Sequence, residues 1–164
     1  MTTGNTLTII NTFHSDLIIA KGLVYDKCGF DFTCPKLNAE SVEYGACSFK
    51  LNGKTIQHRV SKITPAKTGQ FVTIWTRNKD RITQPFDISD DLDFIIISAR
   101  SDDNFGQFIF PKAVLADQGL ITRNGKIGKR GVRVYPPWDI LTNKQQRKLK
   151  AGSQNISFLL KMTA

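Results

Sequence analysis

The sequence predicts an α+β domain: one mixed, largely antiparallel sheet flanked by a few short helices. Three observations carry this expectation. Residues 47–51 and 56–62 alternate apolar and polar side chains on either side of Asn52-Gly53, a strong hairpin signal. Phe94-Ile95-Ile96-Ile97-Ser98 is a continuous apolar run, as in a central strand buried on both faces. Helical patterns are confined to the N-terminal region, residues 112–118 and residues 143–150.

In chain order, Ile10, Phe13, Leu17 and Val24 recur at helical spacing and predict an amphipathic helix over 6–24, with Gly22 as a stop. An irregular link containing Gly29, Pro35 and Asn38 follows. Residues 40–44 lead into a strand that buries Cys47, Phe49 and Leu51. After the Asn52-Gly53 turn, the return strand carries Ile56, His58, Val60 and Lys62 on one face and Gln57, Arg59 and Ser61 on the other. A turn over 64–69 precedes a third strand, 70–77, in which Phe71, Thr73 and Trp75 alternate with Val72 and Ile74. These three strands are expected to form an antiparallel meander. Residues 78–93 are polar, and Asp90, Asp91 and Asp93 suit a solvated loop ahead of the central strand. A turn at Asp102-Asp103-Asn104 leads to a strand over 106–110, then to a short helix over 112–118 that Gly119 ends. Further turns at Asn124-Gly125 and Gly128, a strand over 132–135, a basic helix over 143–150 and a last strand or extended tail over 156–160 complete the series.

At 164 residues, with 40% hydrophobic and 23% charged residues, the chain fits a single domain, 1–164, with an ordinary core. Its apolar runs are far too short to cross a bilayer, and its N-terminus lacks the pattern of a signal peptide. The three cysteines, Cys28, Cys34 and Cys47, form no CxxC pair, which suits reduced thiols and a cytoplasmic location. The only histidines are His14 and His58, so neither a metal nor a cofactor is expected. His58, among apolar neighbours, suits a satisfied core or rim position better than a general base.

The charge is not evenly spread. Residues 112–150 hold ten Lys or Arg against two acids, whereas residues 1–111 hold twelve of each sign. Nearly all of the formal +9 therefore sits in one segment, with glycines and aromatics interleaved. That is the footprint of a protein that binds phosphate backbones. The candidate contacts in this segment are Arg123, Lys126, Lys129, Arg130 and Arg133, with Lys144, Arg147 and Lys148 at i, i+3 and i+4 on the last helix. Lys62, Lys67 and Lys112 come from separate segments and are expected in the same groove. Tyr135 and Trp138 are candidates for stacking on bases, with core packing beside Pro136-Pro137 as the structural alternative. Gly125-Lys126-Ile127-Gly128-Lys129-Arg130 lacks the spacing and hydroxyl of a nucleotide-binding phosphate loop, and suits a basic turn that meets phosphates. No recognition helix is visible, so strong sequence specificity is not expected.

Several of these segments resemble the MepB family. They are Glu43-Tyr44-Gly45-Ala46-Cys47-Ser48-Phe49; Arg59 with Lys62-Ile63-Thr64-Pro65 and Lys67; and Gly69-Gln70-Phe71-Val72-Thr73-Ile74-Trp75. Further along come Gly106-Gln107-Phe108-Ile109-Phe110-Pro111-Lys112, Gly125–Arg130 and Arg133-Val134-Tyr135-Pro136-Pro137-Trp138. The resemblance spans residues 38–150. It implies a nucleic-acid-binding α/β core similar to restriction-endonuclease-like folds. The family's name comes from a gene beside a multidrug efflux pump and implies no transport.

Such folds raise the question of nuclease chemistry. Metal-assisted cleavage needs carboxylates to hold Mg²⁺ and commonly a lysine beside the attacking water. Glu43 and Lys62 could serve, but the position two before Lys62 is Val60, which cannot ligate a metal. Glu40 or the acids of 87–93 would have to substitute, and an ion pair of Glu43 with Arg59 or Lys62 is the simpler reading. The sequence therefore points to a non-catalytic nucleic-acid-binding protein, DNA favoured, that docks the backbone in a basic groove. A Mg²⁺-dependent nuclease with a degenerate site is the alternative, and a protein-interaction module in a regulatory or efflux-linked operon is another.

Overall fold

The structure, a computed structural model, describes residues 12–139 and the backbone of a two-residue strand at 157–158. A six-stranded sheet crosses the molecule. Its strands are β1 (Phe32–Leu37), β2 (Cys47–Leu51), β3 (Lys54–Val60), β8 (Phe94–Ser101), β9 (Asn104–Pro111) and β11 (Ser157–Phe158), in that order. The pair β3–β8 is parallel and every other pair is antiparallel. A second sheet has the order β10 (Gly131–Val134), β5 (Gln70–Thr73), β4 (Lys62–Ile63). A hairpin of β6 (Trp75–Arg77) and β7 (Thr83–Pro85) forms the third. The α+β class with a mixed, largely antiparallel sheet is as the sequence predicts.

Apolar alternation on the central strands explains the layering. On β8, Ile96 faces one side, while Ile95, Ile97 and Ala99 face the other. The first side packs against α1 (Ser15–Ala20) through Phe13, Leu17, Ala20, Val24 and Tyr25. The second packs against Val72 and Ile74, Val134, Phe86 and the residues of α2 (Lys112–Asp117) and its exit, including Leu115, Leu120 and Ile121. Removing Leu115 or Ile97, each about 1% exposed, would cost roughly 2–5 kcal/mol.

The local signals held where their cause is local. Asn52 and Gly53 both take positive φ and close β2 onto β3, pairing Leu51 with Lys54. Gly119, at φ +68°, ends α2. The last predicted strand is present at Ser157–Phe158, paired with β9. The basic helix predicted over 143–150 lies outside the described residues.

Four expectations need correction. The predicted N-terminal helix, where described, begins at Ser15 and does not stop at Gly22: α1 runs into a π-turn over Lys21–Tyr25, straight through that glycine. Gly22 lowers helix propensity but has no positive φ with which to end the helix. The link expected to be irregular contains β1, an edge strand with a bulge between Thr33 and Lys36, where Cys34 takes φ 53° and Pro35 follows. Proline is tolerated there because an edge strand has an unpaired side. The strand predicted over 70–77 breaks at Ile74, whose N–H bonds to the Arg130 carbonyl, so that β6 can leave to pair with β7.

The fourth correction is topological. The predicted return strand is split after Val60: Lys62–Ile63 (β4) pairs antiparallel with β5, as a meander requires, but β3 itself does not pair with residues 70–77. It pairs in parallel with β8, from Ile56↔Phe94 to Val60↔Ser98, and the intervening chain forms the smaller sheets. His58, Arg59 and Val60 are all buried, as a strand covered on both faces requires. The polar side chains of His58 and Arg59 disguise that in the sequence.

Candidate nucleic-acid interface

The small sheet is fixed to the large one by buried polar bonds. The Ser61 hydroxyl donates to Gln70 Oε1 at 2.7 Å, and Gln70 Nε2 donates to the Arg100 carbonyl at 3.0 Å. With Val72 and Ile74 turned into the core, Phe71 must face outward. Antiparallel register then decides which side chains join it. Phe71 pairs with Lys62 on one side and with Arg133 on the other, so all three share the outer face. Two cations 71 positions apart thus flank one aromatic ring.

Two glycine-dependent contacts shape this face. The Phe71 ring lies over Gly131, where a Cβ would come within 2.6 Å of Phe71 Cζ. Gly69, at φ +81°, leaves room for the Tyr135 ring, 2.8 Å from where a Cβ would stand. The Phe71 ring also meets the edge of Tyr44, with centroids 6.1 Å apart and planes at 72°. Lys62 Nζ sits 4.6 Å above the Tyr44 ring centroid. Tyr44 reaches this position from the 3-10 turn Val42–Tyr44, which is tied to β5 by a 2.7 Å bond from Thr73 Oγ1 to Ser41 Oγ.

Arg133 is half-buried, and its guanidinium is already engaged. Nη1 donates to the carbonyls of Thr68 and Gly69, and Nη2 donates to Thr64 Oγ1 at 3.0 Å. Its role here is to clamp the 64–69 loop, which carries the exposed Lys67. Lys62, Lys67 and Arg133 are therefore brought to one region. Arg123 pairs with Asp117 at 3.2 Å, and Arg130 donates to the Thr83 carbonyl at 3.2 Å. Lys126 and Lys129 are exposed, and their side chains make no hydrogen bond or ion pair among the described residues. Lys112 is separate from the Lys62 face in its bonding: Nζ donates to the Asp90 carbonyl at 2.8 Å. Lys144, Arg147 and Lys148 lie outside the described residues.

The aromatics of the basic segment follow the core-packing alternative that the sequence left open. Tyr135 is 7% exposed, a core side chain rather than a stacking surface, and Trp138 is half-buried against the core. The outward ring is Phe71, with Tyr44 beside it packed partly against the core, and both lie outside the basic segment. Strand alternation was the signal that could have marked Phe71, because Val72 and Ile74 claim the core face.

The acids do not gather into a catalytic group. Glu43 is exposed on the 3-10 turn, and its expected pairing with Arg59 or Lys62 is not formed. Arg59 is instead 1% exposed, with Nη1 on the His58 carbonyl and its guanidinium 5.9 Å from the Phe86 ring centroid. Burial lowers its pKa to about 10. Among the described residues no three His, Cys, Asp or Glu side chains cluster to hold a metal. Asp93 and Asp91 accept from Thr55 N–H and Oγ1, capping the start of β3. Asp87 is held below the usual carboxylate range by the backbone N–H and hydroxyl of Ser89.

His58, Cys47 and Ser98 have the residue types of a catalytic set but not its environment. They lie on one line across β2, β3, β8 and β9: Cys47 Sγ to His58 Nδ1 at 3.8 Å, His58 Nε2 to Ser98 Oγ at 2.8 Å, Gln107 Nε2 to Ser98 Oγ at 3.0 Å, and Tyr25 Oη to Gln107 Oε1 at 2.7 Å. Burial lowers the His58 pKa to about 3, and it raises that of Cys47 to about 12. Both groups are thus neutral at pH 7, and the line is an internally satisfied structural network.

A family model described as MepB-like matches residues 38–159. Among solved structures, one titled "Crystal Structure of MepB" is 26% identical, with a TM-score of 0.73, covering 89% of this chain and 97% of that one. No curated protein matches. Among the described residues no helix is long and apolar enough to cross a membrane.

Proposed function

The chain belongs to the MepB-like family, and from that premise we propose that it is a non-catalytic nucleic-acid-binding protein, DNA favoured, acting in the cytoplasm. The observation that carries the reading is the register that puts Lys62 and Arg133 on either side of Phe71, with Arg133 holding the Lys67 loop beside them. Lys126 and Lys129 add exposed, uncommitted charge from the basic segment. Ammonium groups in this state can exchange their counterions for phosphates, whereas Arg123, Arg130 and Arg133 already serve protein acceptors. Burial and neutrality of the Cys47–His58–Ser98 line support a binding role over a nucleophilic one.

The test is binding to labelled duplex DNA across a salt series, for the wild type and a Lys62, Lys67, Lys126, Lys129 quadruple alanine variant. The expected result is a linear fall of log affinity with log salt in the wild type. In the variant the slope becomes shallower by about 3 to 4, since each lost phosphate contact removes roughly 0.9. A salt-independent affinity, or a variant equal to wild type, refutes the proposal.

A further inference from the structure

Resting on that binding reading, we propose that Phe71, braced by Tyr44, forms a base-stacking platform, and that the favoured ligand is therefore single-stranded nucleic acid. A backbone binder needs only cations. Here the cations flank a ring, Phe71, that lies outside the core. Phe71 points away from the core that Val72 and Ile74 enter, and it belongs to neither of the two buried clusters. Gly131 leaves room for its ring beside β10, and Tyr44 meets it in an edge contact. Lys62 rises over Tyr44, and Lys67 projects from the loop clamped by Arg133.

The half-exposed Phe71 ring offers an apolar π-surface beside ammonium groups, the pairing that recognises a base and its own phosphate. Bases in a duplex are stacked on one another and cannot present a face to such a ring, so the platform selects an unpaired strand. Every base has a π-face, so the selection carries little sequence preference. These positions differ from the aromatics of the basic segment, where the Tyr135 ring is buried.

The experiment compares three ligands of equal length at one salt concentration: a single-stranded oligonucleotide, an abasic oligonucleotide with the same phosphates, and a duplex. Wild-type protein should bind the single strand about 5- to 100-fold more tightly than the abasic strand. Phe71→Leu keeps an apolar side chain and should remove most of that ratio while leaving abasic binding unchanged. Because a substitution can perturb folding, photo-crosslinking of the wild-type protein to a 5-iodouracil strand gives an independent readout, with adducts expected on Phe71 or Tyr44. Equal binding of abasic and natural strands overturns the platform while leaving the backbone reading intact, as do adducts confined to other residues. Absence of binding to all three ligands overturns both.

Discussion

The α1-facing side of the large sheet and the outer face of the small sheet each carry polar and aromatic groups, yet they differ in what those groups still lack. Along the first, Tyr25, Gln107, Ser98, His58 and Cys47 bond to one another with no access to solvent. Burial holds His58 and Cys47 neutral, so reactive residue types become inert cross-links between strands. On the second, Lys62 and Lys67 are exposed and Phe71 is only half-covered. The lesson is that residue type nominates a site, whereas unsatisfied capacity at an accessible surface makes one.

Breaking the buried line should have the largest effect. Ser98→Ala removes the partner of both His58 Nε2 and Gln107 Nε2. It should lower unfolding free energy by roughly 2–5 kcal/mol, measured by urea denaturation, with nucleic-acid affinity unchanged under folding conditions. A loss below 0.5 kcal/mol would mean the line is not structural.

Acid probes the same side of the comparison without a mutation. His58 in the folded protein titrates near 3, below its ordinary value of 6.5, because burial opposes the charged ring. Between these values the unfolded chain binds a proton that the native state refuses. The stabilisation is thus complete above pH 6.5 and is lost as pH falls toward 3. The expected loss from pH 6.5 to 5 is about 2 kcal/mol, and it should shrink in His58→Gln. Equal pH slopes for the two proteins would contradict a neutral buried His58.

The smallest effect belongs to the exposed side. Arg133→Lys keeps the charge but cannot span the carbonyls of Thr68 and Gly69 and the hydroxyl of Thr64 together. It should cost about 1 kcal/mol of stability and accelerate proteolysis within 64–69, with a modest loss of DNA affinity. An intact loop with a large loss of affinity would instead make Arg133 a direct phosphate contact, sharpening the division between clamp and ligand groups.

Much of this was legible in the chain itself. The Asn52-Gly53 hairpin, the doubly buried β8, the end of α2 at Gly119 and the position of the basic segment follow from signals spanning a few residues. Turn geometry, apolar run length and net charge act locally, so the sequence alone determined them. Only the tertiary structure decided that β3 pairs in parallel with β8, that Tyr135 turns into the core, and that Arg133 clamps a loop. Each depends on which distant surface competes successfully for a strand edge, a core face or a donor. A residue such as Arg59, polar in the sequence and buried in the fold, carries no local mark of that outcome.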